Sequence, residues 1–260
     1  MSTTLLSAEV AVSTGKDIPP YERLIVPLDV PTVEEAKALV KTLGNSVHFY
    51  KVGLELLLSD GGYAPMVEWL VQQQKKVMLD LKIFDIARTT AAAIRQLAGQ
   101  GVTFVTVHGT DEILRAAVEA KNGVKVLAVT VLTSFDQKDL EDLGFPKGIS
   151  VQKVVLSRAR RALAIGCDGV ISSGLEAGEL RRSLGHNFLI VVPGVRPGVN
   201  REDEEIPPYL DDQKRVVGIE QAFNNGADYI VVGRPIRKAA DQRAAAEEIQ
   251  RRITALFPST

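Results

Sequence analysis

Short runs of β-branched and aliphatic residues alternate along this chain with longer stretches rich in Ala, Leu, Glu and Lys. The apolar runs have the length of strands, and the stretches between them have the length of amphipathic helices. The strand candidates, each followed by a segment that can form a helix, are residues 24–29, 48–53, 77–82, 103–108, 124–132, 168–172, 188–193 and 229–233. This alternation indicates a parallel sheet, and it predicts an α/β protein whose single domain is a closed (β/α)8 TIM barrel.

Signals at the ends of these elements agree with that order. Thr32 and Thr110 each precede acidic residues, as expected of a residue that caps the first turn of a helix. Residues 1–20 carry neither pattern, so we expect them to form a flexible N-terminal extension. Residues 21–260 are then the barrel domain.

Composition and charge argue against several classes of protein. The 260 residues include 31 basic and 32 acidic side chains, which give a formal net charge of -1. Proteins that bind nucleic acids or membrane surfaces through charge have a basic excess, so neither partner is expected. The single cysteine, Cys167, cannot form an internal disulfide. The chain has no apolar run of membrane-spanning length and no N-terminal signal pattern, so a cytoplasmic location is expected.

Polar and charged residues gather where the predicted strands end. In chain order they are Asp29, Lys51, Asp80, Lys82, His108, Thr133, Ser134 and, directly after Gly233, Arg234. In (β/α)8 enzymes the active site lies at this end of the barrel, whereas accidental polar residues would be scattered over both ends. The sequence therefore predicts an active site at the C-terminal ends of the strands.

The segment from Asp80 to Asp85 places two acids and a lysine at the end of the third strand. Strand side chains alternate between faces, so Asp80 and Lys82 are expected to point the same way, into the barrel. Burying these charges is costly unless they pair with each other or with a ligand. Asp85 lies just past the strand, where a turn can bring it back over the site or across to a second subunit.

The loops after the seventh and eighth strands combine glycine with arginine, in Pro193-Gly194-Val195-Arg196-Pro197-Gly198 and Gly233-Arg234-Pro235. These loops are the usual phosphate site of the fold, because backbone N–H groups and a guanidinium can surround an anion there. The residues alone thus predict a phosphate-binding barrel enzyme that uses lysine and carboxylates.

The run Asp80-Leu81-Lys82-Ile83-Phe84-Asp85 resembles the Asp-x-Lys-x-x-Asp signature of the orotidine 5′-phosphate decarboxylase family. Metal-dependent relatives that act on sugar phosphates have the same signature but carry Glu at the position of Lys51, so Lys51 favours the metal-free decarboxylases. The resemblance extends in order from about residue 22 through the segments 28–29, 51–53, 107–109, 130–134, 193–197, 212–215 and 232–235.

The resemblance implies decarboxylation of orotidine 5′-monophosphate to UMP without a metal or cofactor. It implies that Lys82 stabilises and protonates the C6 carbanion, while Asp80 lies near the substrate carboxylate and holds Lys82. Lys51 and Asp85 would complete an alternating Lys-Asp-Lys-Asp array. Asp85 would come from the partner subunit of a homodimer with shared active sites.

The resemblance also implies a set of substrate-binding residues. Asp29 and the partner subunit's Thr89 would bind the ribose hydroxyls, and Ser134 would contact the pyrimidine edge. The residues expected near the phosphate are Gln213, Gly233 and Arg234, and those completing the set are Ile86 and Pro193. Residues 194–213 are expected to form a lid over the bound nucleotide.

Two other hypotheses remain open from the sequence. One is a Mg²⁺-dependent decarboxylase or aldolase of the same superfamily, acting on a sugar phosphate. The other is a nucleotide-binding barrel without catalytic activity.

Overall fold

The structure, a computed structural model, describes residues 16–198 and 215–258. Several sequence predictions lie outside the described residues: the phosphate contact of Gln213, most of the expected lid, and the flexibility of residues 1–15.

Eight parallel strands close into a barrel in sequence order, with the last strand paired to the first. They are β1 (Leu24–Pro27), β2 (Phe49–Gly53), β3 (Lys76–Ile83), β4 (Phe104–Val107), β5 (Lys125–Val129), β6 (Gly169–Ile171), β7 (Leu189–Pro193) and β8 (Tyr229–Val231). Each observed strand overlaps the predicted one and differs from it by at most three residues at either end. The predicted (β/α)8 barrel is therefore confirmed.

The described helices lie between and after these strands. They are α1 (Val33–Leu43), α2 (Leu54–Leu57), α3 (Ala64–Gln72), α4 (Ala87–Gln96), α5 (Asp111–Ala120), α6 (Gln137–Asp142), α7 (Val151–Ile165), α8 (Gly174–Leu184), α9 (Ile219–Asn224), α10 (Arg234–Arg237) and α11 (Gln242–Leu256). Thr32 caps α1, since its hydroxyl accepts a hydrogen bond from Glu35 N at 3.1 Å. Thr110 also precedes a helix, but its side chain makes no capping hydrogen bond.

The apolar residues form two layers, because strand side chains alternate between the inside and the outside of the barrel. In β1, Ile25 belongs to the inner cluster, while Leu24 and Val26 belong to the cluster that packs under the helices. Phe49, Phe104 and Tyr229 fill the barrel interior with ring centroids 5.1 to 5.7 Å apart. The barrel is thus a packed core, and polar side chains at its C-terminal end rest on an apolar floor.

The opposite end of the barrel is closed by the residues that precede β1. Lys16 Nζ lies 3.0 Å from Oδ1 of the fully buried Asp228, and Ile18 packs against the inner cluster. Asp228 also accepts hydrogen bonds from Arg181 and from the backbone of Ile190. These contacts leave the C-terminal ends of the strands as the accessible end of the barrel.

Candidate active site

A cavity of about 540 Å³ opens at the C-terminal ends of the strands. Its floor consists of inner-cluster side chains: Met78, Val129, Ile171, Val191 and Val231. Its walls include the predicted site residues Asp29, Lys51, Asp80, Lys82, Ser134, Pro193, Gly233 and Arg234. The structure therefore brings together, in one cavity, residues from strand ends spread over most of the chain.

Four of these side chains form a line of alternating charges. Lys51 Nζ lies 3.1 Å from Asp29 Oδ1 and 3.3 Å from Asp80 Oδ2. Lys82 Nζ lies 2.9 Å from the same Oδ2 atom of Asp80. One carboxylate oxygen of Asp80 is thus held between two ammonium groups, and each charge is adjacent to a charge of opposite sign.

Lys51 and Asp80 reinforce each other's charged state. Burial would lower the pKa of Lys51, but the carboxylates of Asp80 and Asp29 outweigh it and raise that pKa above its ordinary value. Burial would likewise raise the pKa of Asp80, but the ammonium groups of Lys51 and Lys82 and the hydrogen bond from Thr106 lower it. Both groups therefore stay ionised throughout the neutral pH range.

The backbone of β3 departs from regular strand geometry at this point. Leu79 lies opposite Val105 and Ile83 lies opposite Val107, so a step of four residues on β3 faces a step of two on β4. Lys82 has a φ of 45°, in the left-handed region that side chains other than glycine rarely adopt. Such conformations persist where surrounding contacts hold them, and they concentrate at active sites.

The contact that holds this irregular backbone comes from Thr106 on β4, a residue that the sequence reasoning missed. Its buried hydroxyl accepts a hydrogen bond from Lys82 N at 2.9 Å and donates one to Asp80 Oδ1 at 3.0 Å. A signal was present in the sequence, since alternation places Thr106 on the same inner face as Phe104. Thr106 is therefore the polar residue of β4 whose side chain faces the interior of the barrel.

Arg237 is a second residue that the sequence reasoning missed. It lies at the end of the short helix α10, lines the cavity and donates a hydrogen bond to the backbone oxygen of Asp29. No pattern in the sequence distinguishes it from a surface arginine. It ties the segment after β1 to α10, the helix that begins at Arg234 directly after Gly233.

Gly194, Arg196, Gly233 and Arg234, from the loops where the sequence predicts a phosphate site, line one side of the cavity. At Gly233 the space is restricted, because a Cβ atom there would approach Pro27 Cγ to 2.9 Å. Glycine is therefore the residue that lets the backbone after β8 pass so close to β1.

Three predicted site residues lie outside the cavity of their own chain: Asp85, Ile86 and Thr89. All three are exposed: Asp85 and Ile86 lie between β3 and α4, and Thr89 lies in the first turn of α4. Asp85 Oδ1 accepts a hydrogen bond from Ile86 N at 2.7 Å. The single chain does not bring them to Lys82. Their roles remain predictions that involve a second subunit.

His108 follows β4 but does not line the cavity. Its ring packs edge-on against Phe84, and its Nε2 lies 3.3 Å from Nη1 of Arg158. Burial, and then the charges of Arg158 and Lys82, lower the pKa of His108 below its ordinary value. These contacts fit a supporting position behind the cavity wall.

Among residues 16–198 and 215–258, no group of three or more His, Cys, Asp or Glu side chains is arranged to hold a metal ion. Within the same part of the chain, no helix has both the length and the apolarity needed to span a membrane.

Comparison with known proteins identifies the family. The family model described as orotidine 5′-phosphate decarboxylase / HUMPS family matches residues 22–249. The chain belongs to this family. The resemblance that rested on the Asp80–Asp85 signature is therefore confirmed.

Similar proteins carry the decarboxylase name. The orotidine 5′-phosphate decarboxylase of Methylococcus capsulatus is 55% identical over 244 residues, which cover 94% of this chain and 97% of that protein. The enzyme of the same name from Xanthomonas euvesicatoria is 50% identical over 240 residues, covering 92% and 94% of the two chains. A crystal structure of orotidine 5′-phosphate decarboxylase from Lactobacillus acidophilus superposes with a TM-score of 0.75 at 33% identity, covering 92% of this chain and all of the other.

Proposed function

We propose that this chain decarboxylates orotidine 5′-monophosphate to UMP in pyrimidine biosynthesis, without a metal or cofactor. The observation that carries the proposal is the arrangement of Lys51, Asp80 and Lys82 in a cavity that has arginine and glycine on one side. The names of the similar proteins, at 50 to 55% identity over nearly the whole chain, support the same reaction.

The reaction needs electrostatic stabilisation. Loss of CO₂ leaves an electron pair at C6 of the pyrimidine, where the ring offers little delocalisation. A preorganised ammonium group lowers the energy of such a charge without reorganising during the reaction. We assign this role to Lys82, whose Nζ is held 2.9 Å from Asp80.

The same lysine also supplies the proton that C6 takes up. The Lys82 ammonium donates a proton to C6 as the C–C bond breaks, and the resulting amine regains a proton from water. Asp80, placed near the substrate carboxylate, opposes the negative charge of the ground state, and this repulsion disappears as CO₂ leaves. Lys51 limits that repulsion by neutralising part of the charge of Asp80 and Asp29.

Binding of the rest of the nucleotide positions C6 over Lys82. Asp29 is assigned to the ribose hydroxyls and Ser134 to the pyrimidine edge. Gly233 and Arg234 are assigned to the phosphate together with Gln213, and Pro193 to the cavity wall. Binding energy from these remote groups can be used to align the reacting carbon, so loss of the phosphate contacts lowers kcat as well as affinity.

The position of Lys51 weighs against a Mg²⁺-dependent sugar-phosphate reaction. A divalent cation binds hard oxygen ligands, and Asp29 and Asp80 are carboxylates of that kind. The Lys51 ammonium lies between them, 3.1 and 3.3 Å from their oxygens. A cation there would have to displace a buried ammonium that already neutralises both acids.

A homodimer with shared active sites accounts for the exposed residues beside the cavity. Asp85, Ile86 and Thr89 are exposed and do not line the cavity of their own chain, and we assign them to the site of the partner subunit. Large apolar side chains are exposed after the neighbouring strands β2 and β3: Leu54, Leu58, Phe84 and Ile86. Exposed apolar groups of this kind are typical of a protein–protein interface.

Analytical ultracentrifugation of the purified protein should give the sedimentation of a dimer. A fully active monomer at assay concentration would contradict the shared site.

The decisive test of the reaction is the loss of orotate-ring ultraviolet absorbance when purified protein is mixed with orotidine 5′-monophosphate in excess EDTA. We expect the absorbance to decay in EDTA with the wild type and to persist with folded Lys82→Ala. Decay that stops in EDTA and returns with Mg²⁺ would contradict the metal-free reaction. No decay from folded protein would contradict the decarboxylase itself.

A further inference from the structure

The catalytic segment of β3 is held in a conformation that its own sequence does not favour. Asp80 and Lys82 lie within the four-residue step of β3 that faces only two residues of β4. The left-handed backbone of Lys82, with φ of 45°, is unfavourable for a lysine. Another group must therefore make the hydrogen bonds that hold this part of β3, where its ladder with β4 is interrupted.

Thr106 meets that requirement with a single hydroxyl group. The hydroxyl oxygen accepts a hydrogen bond from Lys82 N at 2.9 Å, a backbone donor that lies in the irregular part of the β3–β4 ladder. As donor it binds Asp80 Oδ1 at 3.0 Å, which turns the other oxygen, Oδ2, toward the two ammonium groups. The hydroxyl is fully buried, so water does not compete for either hydrogen bond.

We propose that Thr106 is a positioning residue for decarboxylation: it fixes the backbone of Lys82 and the rotation of the Asp80 carboxylate together. The inference rests on the proposed function, because it concerns the rate of that reaction. Thr106 lies beneath Asp80 and is not among the residues that line the cavity. Its effect should therefore appear in kcat, with little change in KM.

Thr106→Val tests this role because valine has nearly the same shape but neither donates nor accepts a hydrogen bond. Misplacing reacting groups by about 1 Å can cost about 100-fold in rate, so we expect kcat to fall by about 100-fold, with KM within about threefold. Thr106→Ser, which retains the hydroxyl, should keep kcat within about tenfold of the wild type.

Thr130→Val provides a matched control. Thr130 is a buried threonine just after the neighbouring strand β5, and its hydroxyl donates to the backbone oxygen of Ile171 at 2.9 Å. Replacing it removes a buried hydroxyl without touching Asp80 or Lys82. We expect its kcat to stay near that of the wild type.

Two kinetic results would overturn the proposal. One is a folded Thr106→Val enzyme with wild-type kcat, and the other is an equal loss of kcat in Thr106→Val and Thr130→Val. If Thr106→Val does not fold, Thr106→Ala poses the same question with a smaller side chain.

A crystal structure of Thr106→Val separates this proposal from the proposed function. We expect the Lys82 φ to leave the left-handed region, or Asp80 Oδ2 to lose contact with one ammonium group. Unchanged geometry would overturn the positioning role. If the wild type does not decarboxylate orotidine 5′-monophosphate, the proposed function is wrong, and Thr106 has no role in the rate of that reaction. The crystal structure of Thr106→Val then shows only whether Thr106 fixes the conformations of Asp80 and Lys82.

Discussion

Lys51 has an electrostatic role distinct from that of Lys82, because it lies between Asp29 and Asp80 of its own chain, whereas Lys82 is assigned to the reacting C6 atom. Without Lys51, Asp80 and Asp29 would repel each other and both would oppose the substrate carboxylate. We therefore expect Lys51→Ala to lower kcat/KM by at least about 100-fold, the loss typical of removing one preorganised electrostatic group.

The matched control for Lys51→Ala is Lys76→Ala, at the other end of the neighbouring strand β3. Lys76 pairs with Glu22, far along the barrel from the cavity. Steady-state decarboxylation assays on both variants should show a large loss only for Lys51. Equal losses would mean that the effect is one of general stability and not of the charge line.

His108 gives a pH dependence whose sign follows from its surroundings. Because burial, Arg158 and Lys82 lower its pKa in the folded protein, the unfolded chain binds a proton more readily. The stability contributed by His108 is fully present above its unfolded pKa of about 6.5 and is lost as pH falls toward the folded pKa.

The measurement is the free energy of unfolding of wild type and His108→Gln between pH 5 and 8. We expect the wild type to lose stability relative to His108→Gln below about pH 6.5. The exposed His186→Gln serves as the control for substituting a histidine. If the free energies of unfolding of wild type and His108→Gln change in parallel across this pH range, the lowered pKa of His108 is contradicted.

The irregular part of strand β3 reverses the usual effect of glycine on the stability of a strand. Glycine normally destabilises a strand relative to alanine, but at a left-handed position it removes steric strain. Lys82 has a φ of 45°. We therefore expect Lys82→Gly to be more stable than Lys82→Ala by about 1 kcal/mol, with both variants inactive.

Lys76 lies on the same strand with ordinary backbone geometry, so Lys76→Gly should be less stable than Lys76→Ala. Urea unfolding of the two pairs measures both differences. The same order at both positions would show that the Lys82 backbone carries no strain.

The sequence predicted β3 well but could not predict its irregularity. Strand alternation placed Asp80 and Lys82 on one face, and both side chains line the cavity. A left-handed residue is usually signalled by glycine or asparagine, so lysine gave no warning. The hydrogen bond between Thr106 and Lys82 N depends on the irregular pairing of β3 with β4, and the sequence did not predict that irregularity.

The barrel as a whole was predictable because eight apolar runs alternate with helical segments and polar residues follow the same ends of the strands. The cavity followed from that arrangement, since parallel strands bring their C-terminal ends together. The contact of Arg237 with Asp29 was not predictable, because it depends on the path of a short helix across the barrel end. The roles of Asp85 and Thr89 came from family resemblance, because a single chain does not bring them to a site.

We propose that each active site combines Lys82 of one subunit with Asp85 of the other. Mixing Lys82→Ala with Asp85→Ala protein tests it directly, since a hybrid dimer has one site in which both residues are intact. Random reassociation makes about half of the dimers hybrid, each with one intact site of two, so we expect about a quarter of wild-type decarboxylation from two nearly inactive proteins. No recovery of activity, with subunit exchange demonstrated independently, would contradict the shared site.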